Sequence, residues 1–228
     1  MSILITGDTH GTFDIRKVTK FFENAEKRYT KEDFLIICGD VGVCGVAGKA
    51  YEADTRKVLR DLPVTVLFID GNHENFEDLN SYVVEQWHGG KVHIIEGDII
   101  HLMRGQVFDI EGKLFFTFGG AYSLDKMSRT EGIDWFPQEM PSKEEYQEGM
   151  DNLEQVDFKV DYIITHTAPT EVVSELVFGL VDDELELRQY LQRVSEWTEF
   201  SAWYFGHFHV DESVDDTYYC LYDEVVEL

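Results

Sequence analysis

Short runs of branched apolar residues alternate along the chain with longer stretches in which apolar positions recur every three or four residues. Residues 2–6 (SILIT), 34–38 (FLIIC) and 64–69 (VTVLFI) show no polar alternation, the pattern of strands covered on both faces. The stretches between them predict helices at about 14–26, with Ile15, Val18, Phe21 and Phe22 on one side, and at about 48–61, with Tyr51, Val58 and Leu59. Such alternation predicts βαβ units and a largely parallel sheet. Further strands are predicted at 99–103, 106–110 and 113–118. A turn at Glu111-Gly112 joins the last two, which predicts a more antiparallel second sheet. Strands at 161–165, 201–205 and 217–221 and helices near 143–156 and 183–195 complete the pattern. The last of these helices opens on acidic residues that suit a helix N-terminus.

The conspicuous polar residues follow the strands. GDTHG comes after the first, CGDVG after the second and DGNHE after the third, so that Asp8, Asp40 and Asn72 stand 32 residues apart each time. That interval is close to the length of one βαβ unit. The strand at 161–165 ends in THTAP, with His166, and the strand at 201–205 ends in GHFH, with His207 and His209. Parallel strands present their carboxyl ends at one edge, where ligands bind in α/β sheets. Singly these signals are weak, since a lone Gly-Asp is usually a turn and a lone histidine usually a structural residue. Together, Asp8, Asp40, His10, His166, His207 and His209 crowd two carboxylates and four imidazoles at strand ends, which is unfavourable unless cations bind among them. Mixed oxygen and imidazole donors suit manganese, iron, zinc or nickel better than calcium or magnesium.

Charge narrows the choice of partner. The chain holds 45 acidic and 19 basic residues, a formal charge of −26, and no polybasic stripe. Duplex nucleic acid and anionic membranes are therefore not expected as partners, while a locally cationic pocket can still take a small anion. With 43% apolar residues in 228, one domain spanning 1–228 around a well-buried core is expected. No apolar run reaches membrane-spanning length, the first residues lack signal-peptide character, and Cys38, Cys44 and Cys220 form no C-x-x-C pair. Free thiols and a cytoplasmic location are expected.

The five blocks D-x-H, G-D, G-N-H-E, H and G-H-x-H, running from Asp8 to His209, resemble those of the calcineurin-like metallophosphoesterases. The resemblance implies an α/β fold of two packed mixed β-sheets flanked by helices, an α/β/β/α sandwich. It also implies two transition-metal ions, divalent or mixed-valence, drawn from manganese, iron, zinc and nickel. One ion is expected on Asp8, His10, Asp40 and His209 and the second on Asp40, Asn72, His166 and His207, with Asp40 bridging. The implied activity is hydrolysis of a small phosphomonoester or phosphodiester, a nucleotide being one option, by a metal-bridging hydroxide. His73 is the implied general acid, a task suited to an imidazole that titrates near neutrality.

Two departures argue against a phosphoprotein phosphatase. Where those enzymes continue G-D-x-x-D-R-G, this chain reads GDVGVCG, with Val43 and Cys44 in place of the aspartate and arginine, so the usual orienting partner of His73 is absent. Asp70 also stands where they carry an arginine before G-N-H-E. The segment at about 119–146 is the expected substrate loop. Lys126 and Arg129, three apart, have a helical-neighbour spacing that predicts both aim at one phosphate, and Trp135 and Phe136 are expected to stack on a base or aryl group. Tyr122, Ser123 and Asp125 read as turn residues, with a role as hydrogen-bonding companions in the loop as the alternative. The competing function class is a non-catalytic interaction module on the same fold, which the retention of His73 and of all seven ligand positions disfavours. A nuclease is disfavoured by the charge.

Overall fold

The computed structural model describes residues 1–45, 48–176 and 181–228. The apolar runs form β1 (Ile3–Thr6), β2 (Phe34–Ile37) and β3 (Thr65–Phe68), each buried along its whole length. They pair in parallel, and β3 continues in parallel to β6 (Ile99–Leu102). Helices α1 (Arg16–Asn24) and α2 (Lys49–Asp61) make the crossovers. Antiparallel edges close this first sheet: β13 (Val225–Glu227) lies beside β1, and a hairpin of β4 (Val84–Trp87) and β5 (Gly90–Glu96) lies beyond β6. The order is β13-β1-β2-β3-β6-β5-β4.

The second sheet holds β7 (Gln106–Ile110), β8 (Lys113–Phe118), β9 (Tyr162–Thr165), β10 (Ala202–Phe205), β11 (Glu212–Val214) and β12 (Tyr218–Cys220), in the order β11-β12-β10-β9-β8-β7. Its centre, β8-β9-β10-β12, is parallel, and only the β7–β8 and β11–β12 pairs at its edges are antiparallel. The sheet is thus less antiparallel than its hairpin suggested, and the strand at 99–103 belongs to the first sheet. Local turn signals report only neighbouring strands, whereas β6 is placed by burial of Ile99, Ile100 and Leu102.

Side-chain alternation builds three apolar layers. Ile3, Ile5, Ile36 and Leu67 of the first sheet meet Phe108, Phe115, Ile164 and Tyr204 of the second in a shared core. The opposite faces, Leu4, Leu35, Ile37, Val66 and Phe68, pack with Ile15, Val18 and Leu59 of the α1–α2 side. Phe116, Phe118, Ile163, Trp203 and Phe205 pack under α3 (Lys143–Gln155), α4 (Thr170–Leu176) and α5 (Leu185–Trp197). The result is the expected helix–sheet–sheet–helix sandwich, and the parallel strands of both sheets carry functional loops at their carboxyl ends. Cys38, Cys44 and Cys220 are buried free thiols.

Candidate metal centre

Five strand ends converge. Asp8 and His10 follow β1, Asp40 follows β2, Asn72 and His73 follow β3, His166 follows β9, and His207 and His209 follow β10. The turns are tight: His10, Asp40, His207 and His209 all have positive φ, between 40° and 69°, a region uncommon for non-glycine residues, though His and Asp enter it more readily than most. The glycines of the blocks supply room. A Cβ on Gly39 would lie 2.2 Å from His166 Nδ1, on Gly71 2.0 Å from Asp40 Oδ1, and on Gly206 2.1 Å from Asp8 Oδ1.

Hydrogen bonds fix the tautomers, and the tautomers show what the site holds. His166 Nδ1 lies 2.6 Å from the Cys38 carbonyl oxygen, which can only accept, so Nδ1 carries the proton. His166 Nε2 then presents a lone pair to Asn72 Oδ1 at 3.0 Å and to Asp40 Oδ2 at 3.5 Å, both electron-rich. His10 repeats the arrangement: Nδ1 donates to Asp14 Oδ2 at 2.8 Å, and Nε2 faces Asp40 Oδ2 at 3.4 Å. His207 Nδ1 is 3.0 Å from the same Asn72 oxygen. On the other flank, buried Asp8 Oδ2 makes no hydrogen bond among the described residues, with His209 Nε2 only 3.1 Å away. Acceptors that converge in this way need protons or cations between them. The donor set fits cations bound by oxygen and imidazole nitrogen. Three groups, Asp8–His10–His209, His10–Asp40–His73 and Asp8–Asp40–His166, bring their ligand atoms within 4.8 Å of one another.

The electrostatics agree. Burial opposes charge on His166 and His10, yet Asp40 and Asp8 outweigh it, raising His166 to about 10 and His10, with Asp14 helping, to about 9. The pull toward positive charge at both imidazoles is the carboxylates' demand for a cation, met by a proton where no metal meets it. Burial opposes ionisation of Asp40, but His166 and His73 hold it well below the carboxylate range. Burial and His166 lower His207 to about 3.

Several supporting residues carried no sequence signal. Asp14 and the Cys38 carbonyl orient His10 and His166, and Tyr222 stacks on His209 with ring centroids 4.7 Å apart. Lys17 donates to the carbonyls of Asp8 (2.6 Å) and Tyr222. Ser123, expected as a turn residue, instead accepts a hydrogen bond from Asn72 Nδ2 at 3.0 Å and donates to buried Glu139 at 2.6 Å. This chain turns the Asn72 oxygen toward the imidazoles.

His73 sits at the rim, its backbone N–H donating to Asp40 Oδ1 at 2.8 Å and its Nε2 3.9 Å from Asp40 Oδ2. Among the described residues no hydrogen bond orients its ring. Burial lowers its pKa, Asp40 opposes, and the Arg129 charge lowers it further. Arg129 donates from Nε and one terminal nitrogen to the two Asp125 oxygens, 2.8 Å each, and from the other to the Asp134 carbonyl at 3.0 Å. Lys126 goes elsewhere: its ammonium lies 4.3 Å from the Tyr122 ring centre and 3.9 Å from Asp183. The helical-neighbour spacing expected of the two cations does not hold, because only residues 126–128 form a 3₁₀ turn and Arg129 is extended. Phe136 is buried, while Trp135 lies near Lys126.

Asp70, the second departure from the phosphatase pattern, anchors the β3 loop. Arg104 donates to its Oδ2 from two nitrogens, at 2.8 and 2.6 Å, and His101 Nε2 lies 3.1 Å from Oδ1. Burial opposes ionisation, but Arg104 and His101 keep Asp70 far below the carboxylate range. Removing one partner of such a buried pair costs about 3–5 kcal/mol. Arg104→Met should therefore lower the melting temperature by roughly 6–20 °C. Asp70→Asn added to it should recover part of the loss in the same thermal scan, and a double variant no better than the single one would show that Asp70 is not what Arg104 stabilises.

The profile of the calcineurin-like phosphoesterases matches residues 1–211. The chain belongs to that family. Its members hydrolyse phosphoesters with bound metal ions, and the Asp/His groups above are suited to hold metal. Two solved structures share the fold. The phosphopantetheinyl hydrolase of Mycobacterium tuberculosis is 16% identical, with a TM-score of 0.53 over 97% of this chain and 89% of that one. TT1561 of Thermus thermophilus is 11% identical, with a TM-score of 0.53 over 99% and 97%. No curated protein matches the sequence. No described helix is long and apolar enough to cross a membrane.

Proposed function

We propose that this chain is a dinuclear metal phosphoesterase acting on a small phosphomonoester or phosphodiester, with His73 as the general acid. The observation that carries the reading is Asp40 Oδ2. One buried carboxylate oxygen lies 3.4 Å from His10 Nε2 and 3.5 Å from His166 Nε2, and each imidazole is fixed through its other nitrogen. Asp8, His10, Asp40 and His209 are assigned to one ion and Asp40, Asn72, His166 and His207 to the other, with Asp40 shared. Bound there, the two ions supply a more acidic water and positive charge against the phosphoryl oxygens.

The chain's own residues do the rest. Asp14 and the Cys38 carbonyl hold the Nδ1 protons of His10 and His166 in hydrogen bonds, which leaves Nε2 of each as the ligating nitrogen, and Ser123 keeps the Asn72 oxygen facing inward. His73 gives its proton to the leaving oxygen. Arg129, whose charge is felt at His73, is the cation we assign to a bound phosphate, whereas Lys126 is engaged with Tyr122.

The test is a panel of phosphate monoesters and diesters, a phosphopantetheinyl ester among them, given to apo-protein reloaded with manganese, iron, nickel or zinc. Turnover should return with at least one of these metals and favour one ester class. Two bound ions per chain with no turnover of any ester would instead establish the interaction module.

A further inference from the structure

Beside His73 the surface dips into a cleft of about 160 Å³. Phe13, Tyr51, Gly42 and Gly45 line it, and His10, Asp40 and His73 stand at its inner end. We propose that this cleft receives the leaving group of the substrate and selects one carrying a single six-membered aromatic ring. The proposal rests on the phosphoesterase reading and adds the substrate class.

Four observations carry it. Phe13, three residues beyond His10, is 75% exposed, a large aromatic side chain left in water next to a polar centre. Its partner wall is fixed in place. The Tyr51 hydroxyl donates to the His10 carbonyl and accepts from the Phe13 N–H at 3.1 Å, so its polar tip is occupied and its ring remains as a surface. Gly11 makes this approach possible, since a Cβ there would lie 2.5 Å from Tyr51 Cε1. The Phe13 and Tyr51 rings stand 5.2 Å apart at 38°, while Gly42 and Gly45 contribute no side chain to fill the space.

Size and position decide the occupant. An apolar cavity of about 150 Å³ accommodates benzene, so a cleft of about 160 Å³ among the described residues suits one ring. A ring seated between Phe13 and Gly45 has its ester oxygen directed to the His73 end of the cleft. In the reaction the water oxygen bonds to phosphorus as the phosphorus–oxygen ester bond breaks. The bonding pair stays on the leaving oxygen, which takes a proton from His73, and the proton lost by water returns to solvent, from which His73 is recharged.

Benzyl and ethyl phosphate test this, because both leave as alkoxides and differ in the ring. The metal-loaded native protein should favour the benzyl ester by about tenfold or more in kcat/KM. Phe13→Ala should lower that preference roughly fivefold or more, and Phe13→Tyr, which restores a ring, should keep it. Benzylphosphonate, which has no ester bond to break, should bind the native protein more tightly than ethylphosphonate in calorimetry, and Phe13→Ala should narrow the difference. Hydrolysis of both esters with the same ratio in native protein and Phe13→Ala would overturn the leaving-group site and leave the phosphoesterase reading standing. Hydrolysis of neither, nor of any other ester, would overturn both.

Discussion

Asp40→Asn should abolish turnover and remove at least one metal ion while the fold survives. Asp40 Oδ1 accepts the His73 N–H, and an asparagine oxygen can accept it equally well. The new amide nitrogen then occupies the position of Oδ2, between His10 Nε2 and His166 Nε2, where an N–H pair satisfies both lone pairs. Protein hydrogen bonds thereby replace the cations, and the metal-free variant should melt no lower than metal-free native protein. Metal affinity should fall by more than the roughly 10–100-fold typical of losing a supporting residue, because a shared ligand and its charge both go. Elemental analysis, circular dichroism and an ester assay on one preparation check this. Two ions per chain with native activity in Asp40→Asn would refute the bridging role.

The strand-end residues were legible because parallel strands of similar spacing must deliver their following residues to one edge, and the edge is a property of the sheet rather than of any contact. Asp8, Asp40 and Asn72 follow from that rule, and the structure brings them together with His166, His207 and His209. What lies behind them follows no such rule. Asp14 reaches His10 across one turn, the Cys38 carbonyl reaches His166 across 128 residues, and Ser123 reaches Asn72 across 51. A carbonyl is present at every residue and a serine suits any turn, so neither marks itself by type or period.

The expected helical pairing of Lys126 with Arg129 was lost for a different reason. Spacing by three places two side chains together only on a continuous helix, and one 3₁₀ turn does not extend far enough to do so. Asp125 holds Arg129 on one side and Asp183 attracts Lys126 to another. Edge strands β4, β11 and β13 were equally hard to read. The residues of β4, VEQW, are mostly exposed and lack the apolar run that marks a central strand.

His73→Ala should reduce hydrolysis of an alkyl ester by roughly 10²–10⁴-fold and hydrolysis of a p-nitrophenyl ester far less. An alkoxide leaves poorly without a proton, whereas p-nitrophenolate leaves readily, so the defect measures proton donation itself. In the protein alone, burial and the nearby Arg129 charge hold His73 below its usual pKa, so its proton is weakly held near neutral pH. On the general-acid reading, a phosphate dianion at the centre would supply negative charge that helps to retain it. Turnover of the alkyl ester should fall as pH rises through the His73 pKa of the complex, and that limb should vanish in His73→Ala. Metal content should stay at the native value, because Asp40 keeps His10 and His166 while His73 only borders them. A single defect of equal size for both esters, with the basic limb intact, would mean that His73 positions the phosphate and that the proton comes from water.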